Sequence, residues 1–226
     1  LFVDVSMKHI FTTEELESIK QAVARAEQRT SGEIVPYFVD RSDRYDITVW
    51  RGASLMAMVA IGVAAVTALV YQGWGLSWIY TGQGMAIMTI VSAFVGALMG
   101  AYVPPLKRVL AGRDLIERMV HHRATRAFVE EEVFNTRDRT GILLFISMLE
   151  HRIEVLGDEG INRRVTADDW IDVVGKIRDG IKSKKVAAGL IDAIELCGQL
   201  LERRGVEIQP DDTDELSNEV RFSGDD

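Results

Sequence analysis

The residues of this chain best suited to chemistry are acids. Asp158 and Glu159 stand side by side, Asp168 and Asp169 follow ten residues later, and Glu33 opens an apolar stretch far upstream. Hard divalent cations such as Ca or Mg need several carboxylate and carbonyl oxygens converging on one point. These five acids are therefore the candidate metal ligands, provided the fold gathers them. No fixed ligand spacing of the EF-hand kind is present, and the plainer reading is a solvated loop followed by a helix cap at Asp168 or Asp169. Other patterns fail on context. Cys197 and Arg203 have the spacing of the cysteine phosphatases, Cys followed by five residues and Arg, but that signature needs backbone N–H groups free to cradle a phosphate. Here the intervening residues fall inside a helical pattern, where those groups are already bonded. His9, His121, His122 and His151 show no metal-ligand spacing, and for His122 an exposed or satisfied histidine outweighs a catalytic one facing the sheet. Gly73-x-Gly75 and Gly82-x-Gly84 do not join a strand to a helix, so they are not phosphate loops. No Ser, Thr or Cys nucleophile has a base at recognisable spacing. No catalytic residue is assigned.

Composition narrows the class further. The net charge of −8 is concentrated at the end of the chain, where Val206–Asp226 carries eight acids against Arg221 alone. The remainder is close to neutral and gives no electrostatic case for nucleic-acid binding. The acidic end lacks periodic apolar positions and reads as a solvated, disordered tail. Cys197 is the only cysteine, which excludes an intrachain disulfide and paired-cysteine metal sites. No signal-peptide core is expected in Leu1–Phe11, and Met7 is a candidate start.

The elements that must position these residues are interrupted by an unusual insert. From Gly52 to Leu106 there is no Asp, Glu, Lys, Arg or His. Inside lie two apolar runs, Ala53–Tyr71 and Met85–Val103, each long enough to cross a hydrocarbon core of roughly 30 Å at about 1.5 Å per helical residue. Trp50, Tyr71, Trp74, Trp78 and Tyr80 form the expected aromatic belt. Arg41, Arg44 and Arg51 precede the insert and Lys107, Arg108, Arg113 and Arg118 follow it, whereas the connection has no cation. The positive-inside rule then predicts a two-pass hairpin in a bacterial inner (cytoplasmic) membrane, with both termini cytoplasmic. Ser92, Gly96 and Gly100, flanked by Ala93, Ala97 and Ala101, form a small-residue seam matched by Ala60, Ala64 and Ala68. Such seams let helices approach closely, either within the hairpin or between copies in a homo-oligomer. The hairpin holds no ionisable residue to mark a transport pathway.

Around the insert, Thr12 and Glu15 have capping-box spacing before a helix with Leu16, Ile19, Val23 and Ala26 on one stripe. Glu33–Val39 reads as a strand apolar on both faces, with Pro36 requiring an edge or a bulge. Arg113–Phe134 reads as a helix and Gly141–Ser147 as a central strand covered on both faces. A tight reversal at Met148–Glu150 leads to a strand at His151–Leu156. The next helix begins at Asp168 or Asp169, with Trp170, Ile171, Val174, Ile177 and Ile181 inward. The last, Val186–Arg204, buries Leu190, Ile191, Ile194, Cys197 and Leu201. Helices on both faces of a small mixed sheet make an α/β/α sandwich. The expected organisation is a split α/β domain at 7–40 and 112–206, a transmembrane helical hairpin at 50–106, and an acidic tail at 207–226.

Three stretches of this soluble part are Thr-Ser-Gly-Glu-Ile-Val (Thr30–Val35), Arg-Thr-Gly-Ile-Leu-Leu-Phe-Ile-Ser (Arg139–Ser147) and His-Arg-Ile-Glu-Val-Leu-Gly-Asp-Glu-Gly-Ile (His151–Ile161). With the last two helices, they make the chain resemble the TPM domain family, from Phe11 to about Arg204 outside the insert. The resemblance implies an α/β/α sandwich and links the chain to acid phosphatase activity, divalent-cation binding, and repair or assembly of membrane complexes. The chain departs from the family's exported form: Leu156-Gly157-Asp158 stands where Gly-Tyr-Gly often follows the last strand. Loops at the strand ends of such a sandwich project together, so Asp158 and Glu159 are expected to meet Asp168 or Asp169, with Glu33 less centrally placed. The reading is a membrane-anchored interaction, assembly or repair factor with a lipid bilayer and a membrane-protein partner. An acid-phosphatase-like hydrolase is the alternative.

Overall fold

A computed structural model of the protein describes residues 10–70, 77–208 and 215–223. The masses fall into two units, one built from the chain up to Ser42 and from Met119 onward, the other from Asp43–Arg118.

The first unit is a mixed four-stranded sheet in the order β3-β2-β1-β4, with β1 at Glu33–Val39, β2 at Gly141–Ser147, β3 at Arg152–Gly157 and β4 at Arg221–Phe222. β1 runs parallel to β2 and β4, and β2 runs antiparallel to β3. Every residue of β1 and β2 is buried, as runs apolar on both faces require. Ile34, Phe38, Ile142, Leu144 and Ile146 face one core together with α1 (Thr13–Glu27), α7 (Ile171–Lys182) and α8 (Val186–Arg203). On the other face Tyr37 stacks on Phe145. There the Arg123 guanidinium of α5 (Arg113–Glu130) lies over the Tyr37 ring and donates to its hydroxyl at 3.2 Å. The α/β/α sandwich follows directly.

Pro36 explains a detail of the sheet. β1 lies second in the order, not at the edge, yet alternate residues of a strand direct their backbone groups to opposite sides. Glu33 N–H donates to Thr140 on the β2 side, and Phe38 O accepts from Ser223 N–H on the β4 side. Pro36 shares the Phe38 side, and β4 pairs only with Tyr37 and Phe38. The N–H that proline lacks falls where β1 has no neighbour. One step earlier on that side, Ile34 N–H is taken by the Glu27 carboxylate at 2.9 Å.

Two expectations are corrected here. Residues 207–226 were expected to form a disordered tail, but 215–223 return to the sheet. Val220 and Phe222 pack on the core, Arg221 pairs with Glu131, and Arg123 holds the Ser223 hydroxyl at 2.8 Å. A two-residue strand has no periodicity to detect, and its partner lies near the other end of the chain. Asp211, Asp212 and Asp214 of that stretch lie outside the described residues, as do Met7, Tyr71, Trp74 and the first Gly-x-Gly. The second correction concerns the start of α7. A single turn at Ala167–Trp170 precedes it, and Thr166 rather than Asp168 or Asp169 is the cap, with Asp169 closing a capping box. That turn rotates the helix, so Trp170, Val173 and Ile177 are buried whereas Ile171 is 64% exposed.

The second unit is a pair of packed helices, α2 at Ile47–Val70 and α3 at Gly82–Tyr102, followed by α4 at Pro104–Ala111. α2 begins earlier than expected and takes Trp50 and Arg51 into its first turns. Gly52, Gly96 and Gly100 form the seam between α2 and α3: a Cβ on Gly96 would lie 2.2 Å from Gly52 O, and one on Gly100 would lie 2.3 Å from Thr48 O. The Thr48 hydroxyl crosses the same seam to Gly100 O at 2.9 Å. The small residues serve packing within the pair. Outside the seam the apolar side chains point outward, as at Leu69, Val70 and Phe94, which are 85%, 78% and 64% exposed.

Candidate functional site

The starts of β1 and β2 and the end of β3 share one rim of the sheet, because β3 runs against β2. Asp158 leaves β3 there. Its N–H donates to Gly141 O at 2.9 Å, and its buried carboxylate caps the short helix α6 (Glu159–Asn162) through Glu159 N–H at 2.7 Å. The same carboxylate takes Arg139 at 2.6 Å through Nε and 3.0 Å through Nη2. Arg139 sits in left-handed backbone at φ 57°, a conformation costing a side-chain-bearing residue about 1 kcal/mol. Its guanidinium spans Asp158 and the Phe134 ring, 5.8 Å from the centroid. The Asp158 carboxylate raises the Arg139 pKa above the ordinary value, by hydrogen bonding first and then by charge. Gly160 is required beside this turn, since a Cβ there would lie 2.5 Å from Asp138 O.

The remaining predicted ligands are engaged separately. Glu159 pairs with Arg163 one helical turn on. Glu33 is buried and accepts the N–H groups of Glu215 and Leu216 at 3.3 and 3.4 Å. Asp169 accepts Thr166 N–H at 2.9 Å and the Thr166 hydroxyl at 2.8 Å, and pairs with Arg204. The Thr166 N–H, then Arg204, then the Thr166 hydroxyl lower its pKa to about 2. Asp168 is exposed. The fold therefore brings Asp158, Glu159 and Glu33 to one rim but gives each carboxylate a partner of its own. Among the described residues there is no group of three or more His, Cys, Asp or Glu able to hold a metal ion.

The sequence reading missed the arginines. Arg137, Arg163 and Arg164, with Ser31, Gly160 and Glu207, line an open groove of about 540 Å³ on this rim. The signal was present as Arg137-x-Arg139 and Arg163-Arg164 on either side of Asp158, but cations beside acids in a near-neutral body do not announce a site. The other candidates take structural roles. Cys197 is fully buried inside α8, and burial pushes its thiol up to about 12, so it is no thiolate nucleophile. His122 is exposed, and His121 pairs with Glu154.

Residues 107–200 match the TPM domain. Over that stretch the chain is similar to the TPM domain. The match runs from α4 into α8 and includes β2, β3 and the Asp158–Arg139 pair. A solved structure of similar shape is the NMR structure of the BA42 protein from the psychrophilic bacterium Bizionia argentinensis, which is 20% identical, with 96% of this chain and 99% of that one covered at a TM-score of 0.57. That likeness shows the fold. No curated protein matches the chain.

Proposed function

We propose that this protein is a membrane-anchored TPM domain acting as an interaction or assembly factor on the cytoplasmic face of a bacterial inner membrane. One observation carries the reading. α2 and α3 are 24 and 21 residues long, and only 6% and 17% of their most apolar windows is buried. A core helix of a soluble domain would be mostly covered. Here the apolar surface outside the seam faces outward, as surface meant for lipid does. The cation asymmetry between the connection and the flanks supports cytoplasmic termini.

Binding is favoured over hydrolysis by the state of the rim. A metal-assisted or acid–base phosphatase needs carboxylates free to ligate or to move protons. Asp158, Glu159, Asp169 and Glu33 are held by arginines and backbone N–H groups instead. The exposed arginine groove beside them offers polar contacts to a partner without a reacting centre.

The test uses the full-length protein in native membranes. A photo-crosslinker at Arg164, in the groove, is expected to trap a discrete membrane-protein partner, while one at Ser18 on α1 traps none. The purified protein is expected to leave a generic phosphate ester unhydrolysed with magnesium or calcium present. Turnover that disappears in Asp158→Asn would replace this reading with the hydrolase.

A further inference from the structure

The short helix after the hairpin has a surface that neither the span nor the α/β/α sandwich explains. Val103 separates it from α3 in extended backbone, φ −101° and ψ 101°, as a residue before proline prefers. Pro104 and Pro105 then open a new helix, so the chain turns where the charge-free stretch ends. Contacts to Arg51 and Arg44, on the entry side of the hairpin, fix α4 in place. The Arg51 guanidinium donates to Leu110 O and Ala111 O at 2.7 and 2.9 Å, closing the free carbonyls of the last turn. The Lys107 ammonium donates to Arg44 O at 3.1 Å, which leaves it two further protons. A surface loop has no need of such fixing.

The fixed helix exposes an apolar strip, Pro104, Pro105 and Val109, the last 76% exposed. In the same unit Trp50 and Tyr102 are 73% and 60% exposed, residue types that favour the boundary between lipid chains and water. Lys107 and Arg108 lie on the same helix, between Pro105 and Val109 in sequence. Arg108 and Arg113 have no carboxylate partner among the described residues. Charge is divided in the same sense. Asp43–Arg118 holds six Arg and Lys against four Asp and Glu, and the rest of the chain holds 20 against 30. A basic collar with an apolar strip and aromatic rings matches an anionic lipid surface.

We propose that α4 is an interfacial helix whose apolar strip lies among lipid chains while Lys107 and Arg108 bind the phosphates of anionic lipid headgroups. The proposal rests on the reading of the hairpin as a membrane anchor.

The experiment places the full chain, carrying a fluorescent label on Val109→Cys, in liposomes of phosphatidylcholine with a minor share of phosphatidylglycerol. Cys197 is fully buried, so the introduced cysteine takes the label. The label is expected to be shielded from aqueous iodide and quenched preferentially by spin-labelled phosphatidylglycerol over spin-labelled phosphatidylcholine. At about fivefold per cation near an anionic surface, Lys107→Gln with Arg108→Gln lowers that preference about 25-fold. Lys107→Arg with Arg108→Lys keeps it, and added salt weakens it. Equal quenching by the two lipids, or a preference that survives the double Gln variant, overturns the proposal. Shielding from iodide with no approach of either lipid also overturns it, since a protein would then cover the strip. A second label at Val66, in the middle of α2, separates the two claims. Iodide access at Val109 alone refutes the interfacial helix, and access at both positions refutes the anchor itself.

Discussion

The α/β/α sandwich and the helical pair solve the same packing problem in opposite ways. In the sandwich, bulky side chains point inward, and Ile34, Phe38, Leu144 and Ile194 are essentially without exposure. In the pair, glycines point inward and bulky side chains outward. Backbone meets backbone across Gly52, Gly96 and Gly100, while Val66, Leu69 and Phe94 face away. Water drives the first arrangement, because covering apolar surface releases it from water. The second gains from close van der Waals contact and suits a solvent as apolar as its side chains. An identical residue type therefore carries opposite weight in the two regions.

Leucine truncation breaks this contrast most sharply. Leu144→Ala in β2 is expected to cost about 2–5 kcal/mol of unfolding free energy, the range for a fully buried leucine. Leu69→Ala on α2 is expected to leave thermal unfolding in detergent unchanged, since Leu69 is 85% exposed. Comparable losses would mean that the outer face of the pair is covered by protein.

Glycine enlargement gives the inverse. Gly96→Leu puts a side chain where a Cβ already lies 2.2 Å from Gly52 O, whereas Gly62 has nothing within 4 Å of its Cβ position. Forcing the seam apart is expected to cost about 1–3 kcal/mol, read as easier denaturation of the pair in detergent, and Gly62→Leu should be silent. If both substitutions are silent, the seam does not hold the helices together.

The smallest effect belongs to the acid-side electrostatics of the sandwich. Asp169 has its pKa lowered from 3.8 to about 2 in the folded protein. A carboxylate with a depressed folded pKa adds stability that is fully present above its unfolded pKa and is lost as pH falls through the folded value. Thermal unfolding should therefore show an acid-side loss between about pH 3.8 and pH 2, and Asp169→Asn should flatten that part of the profile. An unchanged profile would show that the Thr166 and Arg204 contacts do not act on folding.

The contrast also sets what the sequence could reveal. Period and composition reported both regions well: the runs apolar on both faces became β1 and β2, the charge-free stretch became α2 and α3, and the Thr12–Glu15 box caps α1. Long-range pairing was hidden. β4 is two residues long, so the acidic end looked like a solvated tail although Phe222 packs against Phe38. The rim was half legible. Asp158 and Glu33 reach it as strand ends do, but whether a carboxylate stays free for a ligand depends on which arginine the fold delivers. Arg139 sits 19 residues from Asp158 and Arg204 sits 35 from Asp169, and no local spacing announces either pair.

The most direct test of the anchored-domain account is sidedness in intact bacterial cells making the full-length protein. Gly82→Cys, at the start of α3 with nothing within 4 Å of its Cβ position, should react with a membrane-impermeant maleimide applied from outside. Ser18→Cys on α1, exposed in the sandwich, should react only after lysis. Labelling of both positions only after lysis, or of both from outside, would contradict the account.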